Sequence, residues 1–128
     1  MAYLLDTNIL IHAMEGHRPV RAQMLADDGA LMMSALSLVE PQRGLFRTPW
    51  HTALRQALLD LLVQRLPVLP FDAAASEAYG RIIAQLGWSK GRDFDRMIAG
   101  HAMATASVLV TNNRADFQIF PGLRWRTG

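Results

Sequence analysis

The stretch YLLDTNILI, residues 3–11, joins an apolar run to a carboxylate and then to a second apolar run. Residues 2–5 are apolar and end at Asp6, which is typical of a short buried strand. Residues 8–14 predict a helix, with Thr7 or Asn8 near its cap, because both side chains can accept a hydrogen bond from a helix N-terminus. A strand that runs through an acidic residue into a helix is the first unit of an α/β fold.

Short apolar strands alternate with helical segments along the rest of the chain. We predict strands at 31–33, 68–69, 108–111 and 123–125, and helices at 20–28, 36–46, 49–66, 72–86 and 97–105. The strand at 68–69 lies between two prolines and is expected at the periphery. This order predicts a three-layer α/β/α sandwich around a central, mainly parallel sheet. The length of 128 residues, without a linker or repeat, favours a single domain over 1–128.

The composition excludes several classes of site. The chain has no cysteine, which excludes disulfides, iron–sulfur clusters and thiolate zinc sites. The four histidines form no His-x-x-x-His pair, so a zinc site of that type is disfavoured. The first residues lack a basic segment and are interrupted by Asp6, and no apolar run reaches the roughly 20 residues of a membrane span. We therefore expect a cytoplasmic protein without a membrane segment.

Arginine dominates the basic residues. The formal net charge is only +2 with a pI near 9.7. Arginine can contact a phosphate group through two hydrogen bonds, so this composition fits a nucleic-acid partner. A GC-rich genome would explain the high arginine content equally well. Near the acidic residues described next, Lys90, Arg92, Arg96 and Arg114 are either phosphate contacts or ordinary surface cations.

Four acidic residues fall where a predicted strand ends or a helix begins: Asp6, Glu40, Asp95 and Asp116. The crevice at the carboxyl ends of parallel strands is where open α/β sheets bind ligands. Carboxylates that converge there repel one another, so they need a cation, and an all-oxygen ligand set favours Mg²⁺ or Mn²⁺. Such an ion lowers the pKa of a bound water and neutralises charge on a phosphoryl oxygen, which matches phosphodiester hydrolysis.

Each of these acids also has a purely structural interpretation. Asp6 is equally a turn or capping residue, and Glu40 completes an S-x-x-E capping box that begins at Ser37. Asp95 complements a helix dipole, with Asp93 as the loop or N-cap residue before it. Asp116 lies in a predicted surface loop, where aspartate is common.

Four segments together resemble the PIN domain and, more narrowly, the VapC-type toxins of bacterial toxin–antitoxin loci. They are YLLDTNILI at 3–11, the S-x-x-E at 37–40, FDRMIAGHA at 94–102 and LVTNNRADF at 109–117. They follow the order and spacing of that family and span almost the whole chain. The first segment alone would be moderate evidence, but the combination is highly specific.

The resemblance implies a metal site and a reaction. Asp6, Glu40 and Asp95 match the three metal-binding acids of the family. Asp116 is the best candidate for a variable fourth acid, and the secondary site residues are Thr111, Asn112 and Asn113. Members are Mg²⁺- or Mn²⁺-dependent endoribonucleases that cleave structured RNA such as tRNA, leaving 5′-phosphate and 3′-hydroxyl ends in our hypothesis. They form homodimers, and heterotetramers or larger assemblies with a VapB-type antitoxin whose tail blocks the cleft.

Pro41 departs from the family pattern, which commonly has a helix-forming residue after the second acid. We expect the helix there to start later or to kink. Two other interpretations stay open: a PIN nuclease of RNA processing without a toxin role, and a non-catalytic PIN-like module that binds RNA or protein. A serine hydrolase triad is disfavoured because Ser34 and Ser37 lack a convincing His/Asp partner in the sequence.

Three further sets of residues have less specific interpretations. His101 is expected to be a packed or capping group rather than a catalyst. The three tryptophans are expected in the core or an interface rather than under a base: Trp50, Trp88 and Trp125. The leucines of the helix at 49–66 are expected in the core, or in a groove for a dimer partner or antitoxin: Leu54, Leu58, Leu61, Leu62 and Leu66.

Overall fold

The computed structural model describes residues 2–16, 18, 31–39, 41, 42, 52–117 and 120–127, apart from the side chains of Met14 and Asp116. Its strands are β1 (Tyr3–Leu5), β2 (Leu31–Ser34), β3 (Val68–Leu69), β4 (Val108–Val110) and β5 (Trp125–Arg126). Its helices are α1 (Thr7–Met14), α2 (Thr52–Arg65), α3 (Ala73–Leu86), α4 (Asp93–Ala104) and α5 (Arg114–Phe117), with a 3₁₀ helix at Ala35–Leu38. The helix predicted at 20–28 and the end of the one predicted at 36–46 lie outside the described residues.

The five strands form one sheet in the order β3-β2-β1-β4-β5, and every neighbouring pair is parallel. In the register, Leu5 of β1 is opposite Met33 of β2 on one side and opposite Val110 of β4 on the other. β1 therefore lies at the centre of the sheet. The chain leaves β1 toward β2 and later returns on the opposite side as β4, so the topological switch point lies between β1 and β4.

Alternation along the strands divides the core between the two faces of the sheet. Leu4 and Leu109 pack on one face with residues of α3 and α4, among them Ile82 and Ile98. On the opposite face, Leu5, Met33 and Val110 of the strands pack against Ile9 and Leu10 of α1. Residues of α2 contribute at the edge of this second core. Helices cover both faces of a parallel sheet, which confirms the predicted three-layer α/β/α sandwich.

Small residues bring α3 and α4 into close contact. Ala75 and Ala78 of α3 and Gly100 of α4 are fully or almost fully buried. A Cβ atom at Gly100 would lie 2.8 Å from the Tyr79 backbone nitrogen, closer than such atoms approach in proteins. Gly100 therefore sets how near the two helix axes can come.

The leucines of α2 divide between core and surface. Leu59, which the periodicity did not single out, is the buried one, and Leu62 and Leu66 pack at the edge of the α1-side core. Leu54 and Leu61 are 61% and 44% exposed. The core interpretation is therefore wrong for Leu54 and Leu61.

Two boundaries also differ from the prediction. α4 begins at Asp93 rather than at residue 97, because Arg96 is buried within its first turns. The segment expected as a loop after β4 contains the short helix α5, whose Phe117 is fully buried. Among the described helices, none is both long and apolar enough to cross a membrane.

Candidate active site at the carboxyl edge of the sheet

Asp6 stands directly after β1 and is only 3% exposed. Its backbone N–H donates to the Val110 carbonyl oxygen over 2.9 Å, which continues the β1–β4 pairing by one residue. Its Oδ1 accepts a 2.8 Å hydrogen bond from the Thr7 backbone N–H. Asp6 is thus itself the N-cap of α1, the structural role that the sequence left open for it, and Thr7 is the first residue of the helix. An extended φ of −67° with ψ of 155° suits this half-helical position.

The second oxygen of Asp6 is held by Thr111. Thr111 follows β4, is fully buried, and donates its hydroxyl hydrogen to Asp6 Oδ2 over 2.8 Å. The same hydroxyl oxygen accepts from the Asn113 backbone N–H at 3.0 Å, so its own orientation is fixed. Each Asp6 oxygen therefore accepts one of these two hydrogen bonds. The carboxylate is therefore pre-oriented at the switch point.

The 3₁₀ helix after β2 approaches the same edge. Its N-cap is Ser34, whose Oγ accepts from the Leu36 backbone N–H at 3.1 Å. Ser37 lies inside this helix, is fully buried, and its hydroxyl donates to the Leu5 carbonyl oxygen at 3.5 Å. Ser37 is therefore not the N-cap of an S-x-x-E capping box.

The next segment carries Glu40, which lies outside the described residues. Its neighbours Val39, Pro41 and Gln42 have helical backbone, and Pro41 is buried. The α-helical backbone thus starts beyond the 3₁₀ turn, and Pro41 stands near that start, where a missing N–H costs little. This agrees with the expected late start of the helix.

Asp95 extends the buried stripe of α4. Ala102, Ala99 and Ile98 are fully buried against Leu4 and Leu109, and Asp95 lies three and four residues before Ile98 and Ala99. Residues at this spacing share a helix face, so Asp95 continues the stripe that covers β1 and β4. Its side chain is half-buried.

Asp93 forms its contact with α3. It is the first residue of α4, with Arg92 at the N-cap, so its predicted place in the loop or at the N-cap is wrong. Its Oδ1 accepts a hydrogen bond from the Tyr79 hydroxyl of α3. That bond, together with burial, raises the pKa of the Tyr79 hydroxyl. Asp93 thus joins the two helices.

The direction of α4 places its first turn beyond the carboxyl ends of the strands. Only residues 105–107 separate α4 from the start of β4, so the helix runs antiparallel to β4. His101, one turn before the end of α4, already contacts Ser34 at the end of β2. Asp95 lies six residues earlier, about 9 Å further along the helix axis. Asp6, Thr111 and Asp95 therefore lie toward the same edge.

His101 forms a buried hydrogen-bonded junction at that edge. Its Nδ1 lies 2.8 Å from Ser34 Oγ, and its ring meets Phe71 edge to face at 5.4 Å between centroids. A backbone hydrogen bond to Pro70 engages the ring as well. Burial lowers the pKa of His101, opposed by Asp72 and by the Pro70 bond. The neutral imidazole thus links α4 to the ends of β2 and β3, consistent with the predicted packed role.

The remaining predicted site residues follow β4. Asn112 is exposed, and Asn113 is half-buried with its backbone N–H on Thr111. Asp116 lies in α5, and its side chain lies outside the described part of the chain. The two asparagines are therefore close in sequence and space to Thr111, and the fourth acidic position stays a prediction.

The basic residues predicted near the site differ in how far they are exposed to solvent. Arg96 is 5% exposed, and its guanidinium donates to the Gly87 carbonyl oxygen. The interpretation of Arg96 as a phosphate contact or a solvated surface cation is therefore wrong. Arg114 lies over the Trp125 ring at 5.8 Å, whereas Lys90 and Arg92 are exposed.

The donor set suits a hard divalent cation. Carboxylate, hydroxyl and amide oxygens line the edge, and the chain contains no thiol. Within the described ranges, no three acidic or histidine side chains come close enough to share an ion. Of the three predicted ligands, Asp6 and Asp95 belong to the described residues and Glu40 does not. The residues present fit Mg²⁺ or Mn²⁺ in ligand chemistry.

Comparisons with known proteins agree with this architecture. A family model described as the PIN domain matches residues 3–122. The chain is 35% identical to a tRNA(fMet)-specific endonuclease VapC of Shigella flexneri, over 97% of this chain and 96% of that protein. It is 33% identical to ribonuclease VapC2 of Rickettsia felis, over 96% of this chain and 95% of that protein.

A solved structure extends the likeness to the fold. The DNA-bound VapBC of Salmonella typhimurium contains a chain that matches with a TM-score of 0.88 at 28% identity, covering 99% of this chain and 98% of that one. The similarity thus runs from the first strand to the last. The chain belongs to the PIN-domain family and, within it, to the VapC ribonucleases.

Proposed function

We propose that this protein is the toxin of a VapBC-type toxin–antitoxin pair, an endoribonuclease that cleaves structured RNA such as tRNA and requires Mg²⁺ or Mn²⁺. The single observation that carries the proposal is the Asp6 carboxylate, buried at the β1–β4 switch point and held by Thr7 and Thr111. A buried carboxylate that is oriented by two hydrogen bonds at the carboxyl edge of a parallel sheet suits the role of a metal ligand.

Three carboxylates would hold the ion: Asp6 after β1, Asp95 in the first turn of α4, and Glu40 beyond the 3₁₀ helix. When bound, the cation supplies an acidified water and charge neutralisation at a phosphoryl oxygen. Asp116, Asn112 and Asn113 are the candidates for completing the site on the β4 side. This ligand set is supported by the convergence of Asp6 and Asp95 on one edge and by the donor chemistry.

The described side chains have distinct parts in the reaction. Thr111 orients Asp6 through its hydroxyl and keeps the carboxylate facing the cleft. Ser37 fixes the 3₁₀ helix to the Leu5 carbonyl, so the segment leading to Glu40 starts from a defined point. Ser34 and His101 are hydrogen-bonded at this edge, but both side chains are buried and the Ser34 Oγ caps the 3₁₀ helix, so water is the nucleophile that fits.

The partner in this proposal is a VapB-type antitoxin. Three structures of similar fold were solved as VapBC assemblies, from Rickettsia felis, Salmonella typhimurium and Haemophilus influenzae. As the family resemblance implies, the assembly in this proposal is a homodimer that binds antitoxin as a heterotetramer or larger complex. The exposed Leu54 and Leu61 of α2 are available for such contacts.

The decisive experiment compares Asp6→Asn with Asp60→Asn, an equal change of charge on the exposed surface of α2. RNA cleavage in Mn²⁺ should fall by more than about 100-fold for Asp6→Asn and stay unchanged for Asp60→Asn. Calorimetric titration with Mn²⁺ alone should show weakened binding only for Asp6→Asn. Undiminished cleavage or unchanged Mn²⁺ affinity in Asp6→Asn would refute the metal role.

The toxin assignment has a separate test. Induction of the chain in bacteria should arrest growth, and co-expression of the small gene adjacent to its own should restore it. Sequencing of RNA 5′ ends after brief induction then identifies the target. A nuclease of RNA processing would show cleavage without arrest or rescue.

A further inference from the structure

The loop 87–92 joins α3 to α4 and has a defined conformation at both ends. Gly87 ends α3 with a φ of 76°, a backbone region that side chains with a Cβ rarely adopt, and its N–H donates to the Ile83 carbonyl at 2.8 Å. The Gly87 carbonyl in turn accepts from the buried Arg96 guanidinium. At the other end, the Arg92 N–H donates to the Ser89 carbonyl at 3.2 Å.

This loop presents an aromatic ring to solvent. Trp88, directly after Gly87, is 64% exposed, more than any other large hydrophobic residue of the described chain. Scattered exposed leucines are common on protein surfaces, but tryptophan carries the largest apolar area and is normally covered. The core interpretation made from sequence is therefore wrong for Trp88, and its ring is open to a ligand.

The loop that carries this ring contains positive charge. The loop reads GWSKGR, with two cations and no acidic residue, and Lys90 and Arg92 are both exposed. The carboxyl edge of the sheet is acidic by contrast, because Asp6 and Asp95 lie toward it. A polyanion that approaches the cleft therefore meets attraction at this loop and repulsion at the carboxylates.

The loop is also attached to the site. Arg96, which anchors Gly87, directly follows Asp95 in α4. Asp93 at the start of the same helix is bonded to Tyr79 of α3, so the helical hairpin that carries both the loop and Asp95 is held at this end. Trp88 thus lies in an anchored loop that leads directly into the helix carrying Asp95.

We propose that Trp88 is a stacking platform for an unpaired base of the RNA substrate, with Lys90 and Arg92 contacting the adjoining phosphates. The inference deepens the proposed ribonuclease function and rests on it. Proteins recognise single-stranded RNA by stacking its bases on aromatic rings while cations follow the backbone. Every base offers a flat face to such a ring, so the platform selects unpaired RNA over duplex rather than one sequence.

The test measures binding of a fluorescein-labelled, 12-nucleotide mixed-sequence RNA by anisotropy in EDTA. Trp88→Ala should weaken the single-strand Kd about tenfold to a hundredfold, and Trp88→Phe should stay within about threefold of the unaltered chain. Val63→Ala, another exposed apolar truncation, is the matched control and should leave the single-strand Kd unchanged. The same RNA in a duplex should bind with equal affinity to the unaltered chain and to Trp88→Ala.

The contribution of Lys90 and Arg92 is measured separately, through the salt dependence of RNA binding. For the double variant Lys90→Gln, Arg92→Gln, the slope of log Kd against log salt concentration should fall by about 1.4. Trp88→Ala should leave that slope unchanged, since it removes no charge. In cleavage assays Trp88→Ala should raise KM and leave kcat nearly unaltered.

Unchanged single-strand binding in Trp88→Ala would overturn the proposal and assign the ring to a protein interface. An altered sedimentation coefficient for Trp88→Ala would assign it to contact between copies of the chain, which also overturns the proposal. If the proposed ribonuclease function is wrong, Asp6→Asn will cleave RNA at the full rate. The binding comparison with Trp88→Ala does not depend on cleavage, so it can be interpreted in either case.

Discussion

The Thr111 hydroxyl donates to Asp6 Oδ2 over 2.8 Å, joining residues that are 105 positions apart in the chain. Both atoms are buried, and each residue directly follows a strand of the neighbouring pair β1 and β4. The carboxylate orientation therefore depends on the sheet itself rather than on a loop.

Replacement of Thr111 by valine keeps its shape and removes this hydrogen bond. We expect the free energy of unfolding to fall by about 1–3 kcal/mol, because a buried carboxylate oxygen loses its donor. Cleavage should fall roughly 10- to 100-fold, as for other groups that orient a metal ligand. Thr111→Ser should retain most of both properties. Urea unfolding and RNA cleavage check this, and a fully active Thr111→Val would contradict it.

A pair of glycines tests the contact between α3 and α4. Gly100→Ala should destabilise the protein by about 1–3 kcal/mol, because the new methyl group meets the Tyr79 backbone. Gly80→Ala should stabilise it by about 0.5–1 kcal/mol, since Gly80 is an exposed helical residue with nothing within 4 Å of an added Cβ. Thermal unfolding of the two variants gives the comparison. Equal effects at both positions would rule out the close helix contact.

His101 predicts a pH-dependent stability. Its pKa in the folded state lies below 6.5, mainly through burial, while Asp72 and the Pro70 carbonyl oppose the shift. The unfolded chain therefore takes up a proton first as the pH falls. The contribution of neutral His101 is complete above pH 6.5 and is lost as the pH falls from there toward the folded-state pKa.

Urea midpoints measured between pH 7.5 and 5.0 check the sign of this effect. The unaltered protein should lose more stability over this interval than His101→Gln, which has no imidazole to protonate. The variant should be less stable at pH 7.5, because the junction with Ser34 is altered. Parallel pH profiles for the two proteins would show that His101 does not cause the loss.

Arg96 predicts a local effect in the loop 87–92. Arg96→Met keeps the apolar stem and removes the donor to the Gly87 carbonyl, so the loop should open more often. Tryptic cleavage after Lys90 or Arg92 should then be faster, as detected by mass spectrometry. Arg81→Met, at an exposed position on α3, serves as the control. Equal rates in both variants would show that Arg96 does not anchor this loop.

The sequence predicted what depends on patterns along short segments. The strand at 3–5 followed by Asp6, the proline-flanked β3, and the helix between Asp72 and Gly87 all appear in the structure. Their signals are local, since strand runs, caps and glycine stops act on neighbouring residues. The four acids stood out by their places at strand ends and helix starts, and the resemblance to a known family assigned their roles.

The features that the sequence did not predict depend on contacts between residues far apart in the chain, which no local pattern indicates. Arg96 resembles a surface cation in sequence, but the loop carbonyl of Gly87 bends back to meet it. Ser37 fits a capping box, yet the Leu5 carbonyl of the adjacent strand accepts its hydroxyl. Leu54 and Leu61 share a helical pattern with core leucines and still face solvent, because periodicity does not tell which helix face meets the sheet.

The central place of β1 has a consequence for control of the enzyme. Asp6 extends a strand that is paired on both sides, so displacing Asp6 requires hydrogen bonds of the central strand to break. A regulator with ordinary affinity cannot drive such a rupture. We therefore expect reversible inhibition to act on the surroundings of Asp6, leaving the central strand in place so that activity resumes once the inhibitor dissociates.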